Sequence, residues 1–219
     1  LSEWCGHGPI LEQDIALPNF ALALLGQARS LYQYAAEVEG NGRSEDDLAY
    51  LRDGVDFYNV LLVELPKGDF GHTMTRQFFF DAFNYYFYQQ LQKSSDPTLA
   101  AIAEKSIKEV TYHLRYSSEW MIRLGDGRED SHRRMQTAVD DLWAYTGELY
   151  TPDAIDEELL AAGVAVDLGR LKQHWQQRVR EILTAATLDI PTETWMQKGG
   201  KQGRHTEHLG YVLAEMQYL

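Results

Sequence analysis

The stretch that decides the fold reads SIKEVTYHLRY, residues 106–116. It is typical of the middle of a long amphipathic helix, and it carries a carboxylate, Glu109, and an imidazole, His113, one turn apart. Di-iron carboxylate bundles take one Glu from each of two helices and a Glu-x-x-His pair from each of the other two. Here the two residues are four positions apart, and Tyr112 stands where that pattern needs histidine. The stretch therefore predicts a bundle built like a metallo-oxygenase that lacks the ligands for the metal.

Helical signals extend over nearly the whole chain, and no strand-like alternation persists. Pro18 predicts the first turn of a helix that ends at Gly40, and Asp96–Pro97 predicts an N-cap followed by a first helical residue. The aromatic run at 78–88 is apolar nearly all round, as expected of a helix covered on several sides. The predicted helices span about 19–39, 45–64, 69–93, 97–124, 130–149, 153–163, 168–186 and 205–217, with a loop at 190–203. The pattern predicts one all-α domain, residues 1–219, with long antiparallel helices.

Composition excludes several classes of protein. The net charge of −13 and the pI near 4.9 argue against binding to a phosphate backbone, which needs clustered Lys and Arg. The single cysteine, Cys5, excludes an internal disulfide and fits a reducing cytoplasm, and its neighbours Trp4 and Gly6 indicate a packed thiol. No apolar run approaches the roughly 18–20 residues of a membrane span. We therefore expect a cytoplasmic protein that binds neither nucleic acid nor membrane.

The long predicted helices hold few residues that could bind iron. Asp81 and Asn84 occupy the register of a Glu-x-x-His pair, but the carboxylate is shortened and an amide replaces the imidazole. An amide is a poor iron ligand compared with imidazole or carboxylate. The first helix offers Asn19 and Gln27 on its inner rows and no carboxylate before Glu37. These positions are typical of paired, buried polar groups rather than of a metal site.

The one complete Glu-x-x-His match in the sequence is Glu129 to His132. It lies at a predicted helix start, where acidic residues favour the helix dipole, so we interpret it as a solvated N-terminus. In the same helix, Asp140 and Asp141 are followed by Ala144 rather than by histidine. A di-iron site needs about six good ligands, and at most two or three are plausible here. The sequence therefore predicts no catalytic, cofactor-binding or metal-binding residue in this chain.

A histidine-rich turn and a basic loop lie near the end of the chain. The motif HTEH at 205–208 lacks further ligands at zinc spacing, so it is more typical of a helix start with hydrogen-bonding histidines. The preceding loop KGGKQGR, residues 198–204, carries Lys198, Lys201 and Arg204. A Gly-rich loop that enters a helix can hold an anion, but the Gly-Lys-Ser/Thr order of a Walker loop is missing. We interpret the loop as a flexible, positively charged connector that could meet an acidic partner or a phosphate group.

Six runs of sequence together resemble one protein family. They are LSEWCGH at 1–7, LLGQAR at 24–29, NVLLVE at 59–64, IKEVTYHLR at 107–115, GGKQGRHTEHLG at 199–210 and LAEMQ at 213–217. These runs resemble the C-subunit family of the bacterial phenylacetyl-CoA epoxidases (phenylacetate-CoA oxygenases). The resemblance covers essentially the whole chain. Members of that family extend beyond both ends of this sequence, which agrees with its opening on Leu1 rather than Met.

The resemblance implies a ferritin-like helical bundle with additional C-terminal helices. It implies a multicomponent monooxygenase that uses O2 and NADPH-derived electrons to epoxidise the ring of phenylacetyl-CoA in aerobic phenylacetate degradation. The di-iron site would belong to the catalytic A subunit, and this chain would be its non-catalytic structural companion, without a cofactor of its own. The implied partners are that A subunit and other oxygenase components including a reductase, with a homodimer as a possible form of the isolated chain.

Two alternatives to the structural role remain at this stage. The chain could be a di-iron oxygenase or a ferritin-like metal protein in its own right, or a helical module that binds an acyl-CoA through the basic loop at 198–204. For a structural role, the surface that meets the catalytic partner would contain exposed rings such as Tyr85, Tyr86 and Tyr88, since one helix cannot bury all its rings inward. The simpler possibility is that these rings belong to the core.

Overall fold

The computed structural model describes residues 1–192 and 195–218. Within these ranges the chain is helical and has no strand, which confirms the all-α class and is consistent with a ferritin-like bundle. The helices are α1 (Leu11–Glu39), α2 (Glu45–Tyr50), α3 (Phe70–Leu91), α4 (Pro97–Gly125), α5 (Glu129–Trp143), α6 (Ala154–Ala161), α7 (Leu168–Ala185) and α8 (His208–Met216). In the described part of the chain, no helix is long and apolar enough to cross a membrane.

Helices α3 and α4 form the centre of the molecule. Helix α3 contacts α4, α5 and α7, whereas α1 packs against α4 and the short α2. Phe78 and Phe79 of α3 are completely buried, and the indole Nε1 of Trp175 in α7 donates a 2.9 Å hydrogen bond to the carbonyl oxygen of Phe79. Helix α3 is therefore covered on several sides, which explains why its sequence is apolar nearly all round.

The predicted start of α4 is correct. The Asp96 carboxylate accepts hydrogen bonds of 2.9 Å from the backbone N–H groups of Thr98 and Leu99, and Pro97 is the first helical residue. The side chain satisfies two of the N–H groups that a helix start leaves without a partner, and proline loses nothing there because it has no N–H to pair. This end of the helix is therefore fixed by local chemistry alone.

The start of α1 differs from the prediction. The helix begins at Leu11 rather than after Pro18, and Pro18 lies inside it. Proline in a helix interior removes one backbone hydrogen bond, here the bond to the carbonyl oxygen of Asp14. The side chains of Leu17 and Phe20 on either side of it are almost completely buried. Their burial holds both halves of the helix on the core and outweighs the missing bond.

Two predicted helices end early in the structure. The second ends at Tyr50 instead of 64, and the fifth ends at Trp143 instead of 149. Short 3-10 turns follow each of them, at 54–56, 61–63 and 147–150. The two irregular segments meet where the backbone N–H of Leu61 donates a 2.8 Å hydrogen bond to the Glu148 carboxylate. Tertiary hydrogen bonds thus replace the helical ones over these residues.

Candidate functional site

The polar centre of the bundle is built around Asp81 of α3. Its side chain is completely buried, and its two oxygens accept hydrogen bonds from Gln77 Nε2 at 2.6 Å and from Ser117 Oγ of α4 at 2.8 Å. Burial raises the pKa of Asp81 to about 7, while these two hydrogen bonds act in the opposite direction. Both carboxylate oxygens are therefore engaged by the protein's own side chains.

A cleft of about 610 Å³ lies beside this centre, between α1 and α3. Asn84, one turn after Asp81, lies on its wall together with phenyl rings such as Phe83 and Phe87. Among the described residues that line the cleft, the one carboxylate is Glu3 at the N-terminal segment, and none is a histidine. The cleft is therefore mostly apolar, and its polar lining consists mainly of amides and of the cationic side chains of Lys67 and Arg76. Amides are poor donors for iron, and cations do not bind it.

Glu109 and His113 lie apart from Asp81, on the side of α4 that faces α1. The Glu109 side chain is exposed and accepts a 3.1 Å hydrogen bond from Gln27 Nε2. The His113 ring is buried and stacks on Phe20, with the ring centroids 4.1 Å apart. Burial lowers the pKa of His113 to about 4, although the charge of Glu109 opposes this. Among the described residues no hydrogen bond joins Glu109 to His113, so the two do not form the one-turn pair that their spacing allows.

The remaining candidate ligands are at the surface. Asp141 accepts a hydrogen bond from His72, and Asp140 is exposed. Glu129 begins α5, and the His132 ring nitrogen Nδ1 lies 2.7 Å from the carbonyl oxygen of Gly125, as suits a helix start. In the part of the chain that the structure describes, no three His, Cys, Asp or Glu side chains converge as metal ligands. The two irons of a ferritin-like oxygenase are held by about six such ligands.

The Gly-rich basic loop is tied to the protein itself. The buried Glu148 carboxylate accepts hydrogen bonds from the backbone N–H groups of Gly199 at 2.8 Å and Lys201 at 3.4 Å. The Lys201 ammonium donates to the Asp156 carboxylate at 2.6 Å. The loop thus binds an anion, but that anion is the protein's own carboxylate. The predicted connector is thus held to the protein at Gly199 and Lys201, whereas the side chains of Lys198 and Arg204 are exposed.

The histidine turn is a structural element, as predicted. The two ring nitrogens of His205 lie 2.6 Å from Glu64 Oε1 and 2.9 Å from the carbonyl oxygen of Phe57. Thr206 donates to Glu64 Oε2 from both its N–H and its hydroxyl, each at 2.8 Å. Sequence reasoning missed the roles of Glu64 and Glu148. The one signal in the sequence is that each carboxylate stands directly beside an apolar residue, Leu65 and Leu149 respectively, because both segments were predicted as helices.

Two further predictions from the aromatic N-terminal and α3 segments need correction. Cys5 is exposed rather than packed, while its neighbour Trp4 is buried and donates to the Thr73 hydroxyl at 3.0 Å. Tyr88 is buried, so it cannot anchor an interface. Tyr85 and Tyr86 are half-buried and pack against the core. These three tyrosines of α3 therefore contribute mainly to the core.

Sequence comparisons extend over all of these features. Residues 1–219 match the sequence model of a family described as "Phenylacetic acid catabolic protein". The chain is also 51% identical over 219 residues to the C subunit of the 1,2-phenylacetyl-CoA epoxidase of Escherichia coli (strain K12). That alignment covers 100% of this chain and 88% of the relative. The matched region includes the polar centre, the basic loop and every helix described above.

Proposed function

The chain belongs to the phenylacetic acid catabolic protein family, and on that premise we propose that it is the non-catalytic structural subunit of a phenylacetyl-CoA epoxidase. It acts in aerobic phenylacetate degradation by supporting a separate di-iron catalytic subunit. The name of the Escherichia coli relative, the C subunit of a phenylacetyl-CoA epoxidase, supports membership of such a complex, and so does the 51% identity over the whole chain.

The observation that carries the proposal is the state of the side chains in the ligand register. Asp81 is bound by Gln77 and Ser117, and Glu109 is exposed and bound by Gln27. These contacts use oxygens that a metal centre would need free, and they join α3 to α4 and α1 to α4. The polar centre thus stiffens the bundle instead of doing chemistry.

A stiff companion has a clear use in a multicomponent oxygenase. Metal sites lose activity when the residues around their ligands are held loosely, and loss of one such supporting contact typically lowers activity by roughly 10–100-fold. The catalytic A subunit supplies the di-iron chemistry, and this chain fixes the helices that carry the ligands. Its further partners are the other oxygenase components, including a reductase, and its place of action is the cytoplasm. Without the A subunit, a homodimer is one form that the isolated chain could take.

The test is to express the catalytic subunit with and without this chain. We expect the two chains to co-purify, and we expect NADPH oxidation that depends on phenylacetyl-CoA and the reductase to fall roughly tenfold or more when this chain is omitted. Full activity of the catalytic subunit alone would contradict the proposal, as would epoxidation by this chain without the catalytic subunit.

A further inference from the structure

The outer side of α1 carries an unusual line of exposed apolar side chains. Leu11, Ile15, Leu22 and Leu25 are 69%, 54%, 65% and 58% exposed. With Pro18 between them they recur at steps of four and three residues, so they form one stripe along the helix. The inner side of α1 packs on α4. We call these four residues the outer stripe. A contiguous exposed apolar surface of this kind marks an interaction site, whereas single exposed leucines are common on protein surfaces.

A seam of small residues runs beside the outer stripe, between it and α4. Ala16, Ala23 and Gly26 belong to it, and a notch of about 240 Å³ opens there between α1 and α4. A Cβ atom built on Gly26 would meet nothing within 4 Å, so the fold of this chain does not require glycine at that position. Glycine inside a helix costs roughly 1 kcal/mol relative to alanine. The seam therefore lets another backbone approach α1 closely, as small residues do in tight helix–helix contacts.

His113 forms part of the wall of the notch. Its ring borders the notch and stacks on Phe20, and only 3% of the residue is exposed. Asn19 and Tyr112 line the same notch, so a polar side chain that enters it from outside can form hydrogen bonds there.

Charge favours a different protein over a second copy of this chain. The exposed carboxylates of Glu12 and Glu109 flank the seam, and the chain as a whole carries a net charge of −13. Two copies that met through this surface would bring like charges together, which costs binding energy. A partner helix with an apolar face flanked by Lys or Arg fits this surface better. Its apolar face would cover the outer stripe, and its cations would lie near the carboxylates of Glu12 and Glu109.

From these observations we infer that one α-helix of the catalytic subunit docks along the outer side of α1. Its apolar residues cover the outer stripe, its basic residues face Glu12 and Glu109, and one polar side chain enters the notch beside Asn19 and Tyr112. The inference rests on the proposed function, since it names the surface through which the structural subunit meets its partner. It also replaces the α3 rings as the centre of that contact.

Photo-cross-linking in the co-expressed complex identifies the occupant. p-Benzoylphenylalanine is placed at Leu22, and a matched control carries it at Ile155 of α6, which is 67% exposed. We expect position 22 to cross-link to a Lys- or Arg-bearing helical peptide of the catalytic subunit, and we expect no such link from position 155. A link from position 22 to a second copy of this chain, or no link in an intact complex, overturns the inference.

A binding measurement complements the cross-link. Leu22→Glu combined with Leu25→Glu should raise the dissociation constant for the catalytic subunit by about 30-fold or more, as expected when central anchors are lost. Ile155→Glu should leave it unchanged, and both variants should melt like the wild type because the altered side chains are exposed. An unchanged constant overturns the docking surface while the proposed function stands. If the wild-type chain itself does not bind the catalytic subunit, the proposed function fails and the docking surface with it.

Discussion

At the scale of one residue, Asp81 occupies a position that binds metal in di-iron bundles, but here its carboxylate is hydrogen-bonded to side chains of the protein. In the register of a Glu-x-x-His pair it faces the bundle centre, but Gln77 and Ser117 bind its two oxygens and burial raises its pKa to about 7. A buried carboxyl of this kind prefers its neutral form. The residue therefore ties α3 to α4, and the fold tolerates it best at low pH, where the carboxyl is protonated.

Replacement of Asp81 by Asn tests this role. Because the folded pKa of Asp81 lies above its unfolded value, the wild type loses stability from this group as pH rises from the unfolded pKa up to about 7. The uncharged Asn has no such dependence. The free energy of unfolding of Asp81→Asn, relative to wild type, should rise by roughly 2–3 kcal/mol between pH 5 and pH 8. Urea titrations at both pH values measure it, and a difference that stays constant with pH would contradict the account.

At the scale of the element, α1 contains an interior proline, Pro18, and burial of Leu17 and Phe20 compensates for the backbone hydrogen bond that it removes. Pro18→Ala restores an N–H that can donate to the carbonyl oxygen of Asp14. An interior proline costs about 3 kcal/mol, of which roughly 0.4–1 is offset by the stiffer unfolded chain. We expect the variant to be about 2 kcal/mol more stable, measured by denaturant unfolding. A variant of equal or lower stability would show that the helix is shaped around the proline.

The Gly-rich loop depends on Glu148 in the same way that a helix start depends on its cap. Glu148→Ala leaves the N–H groups of Leu61 and Gly199 buried without an acceptor, so we expect a loss of about 3 kcal/mol in the free energy of unfolding. Hydrogen exchange at those two amides should also become faster. Glu157→Ala, which removes an exposed carboxylate of α6, is the control and should change stability by less than about 0.5 kcal/mol. Equal effects of the two variants would refute the role of Glu148.

These elements also show how far sequence reasoning could go. The start of α4 is predictable because Asp96 and Pro97 act on their immediate neighbours. The ends of α2 and α5 are not, because Glu148 bonds to Leu61 and Gly199, which are 87 and 51 positions away in the chain. Such pairings arise only once the chain has folded.

In the candidate site, too, some features could be predicted from the sequence and others could not. The shortage of iron ligands can be counted from residue types, and the register of Asp81 and Asn84 is visible in the sequence. The stacking of His113 on Phe20 and the binding of Glu109 by Gln27 are contacts between helices that no spacing rule supplies. The outer stripe was not predictable, because it runs past Pro18, where the sequence predicted the start of the helix. Its exposure was not predictable either, since an apolar stripe is normally taken for a core face.

At the scale of the whole molecule, the chain is an all-α bundle, consistent with a ferritin-like fold, whose described centre is packed and hydrogen-bonded. Helices α1, α3 and α4 are joined by hydrogen bonds among amides, a hydroxyl and carboxylates. The outer side of α1 is left apolar. A supporting subunit needs a well-packed interior to hold its own shape and an apolar surface through which it can bind its partner.

Iron analysis of the separated chains tests the central claim most directly. The chain and the catalytic subunit are co-expressed in iron-rich medium, purified as a complex, separated under conditions that retain bound metal, and assayed individually for iron. The account predicts that the metal stays with the catalytic subunit and that this chain carries only trace amounts. Close to two irons per molecule of this chain, with the spectrum of a coupled di-iron centre, would contradict it.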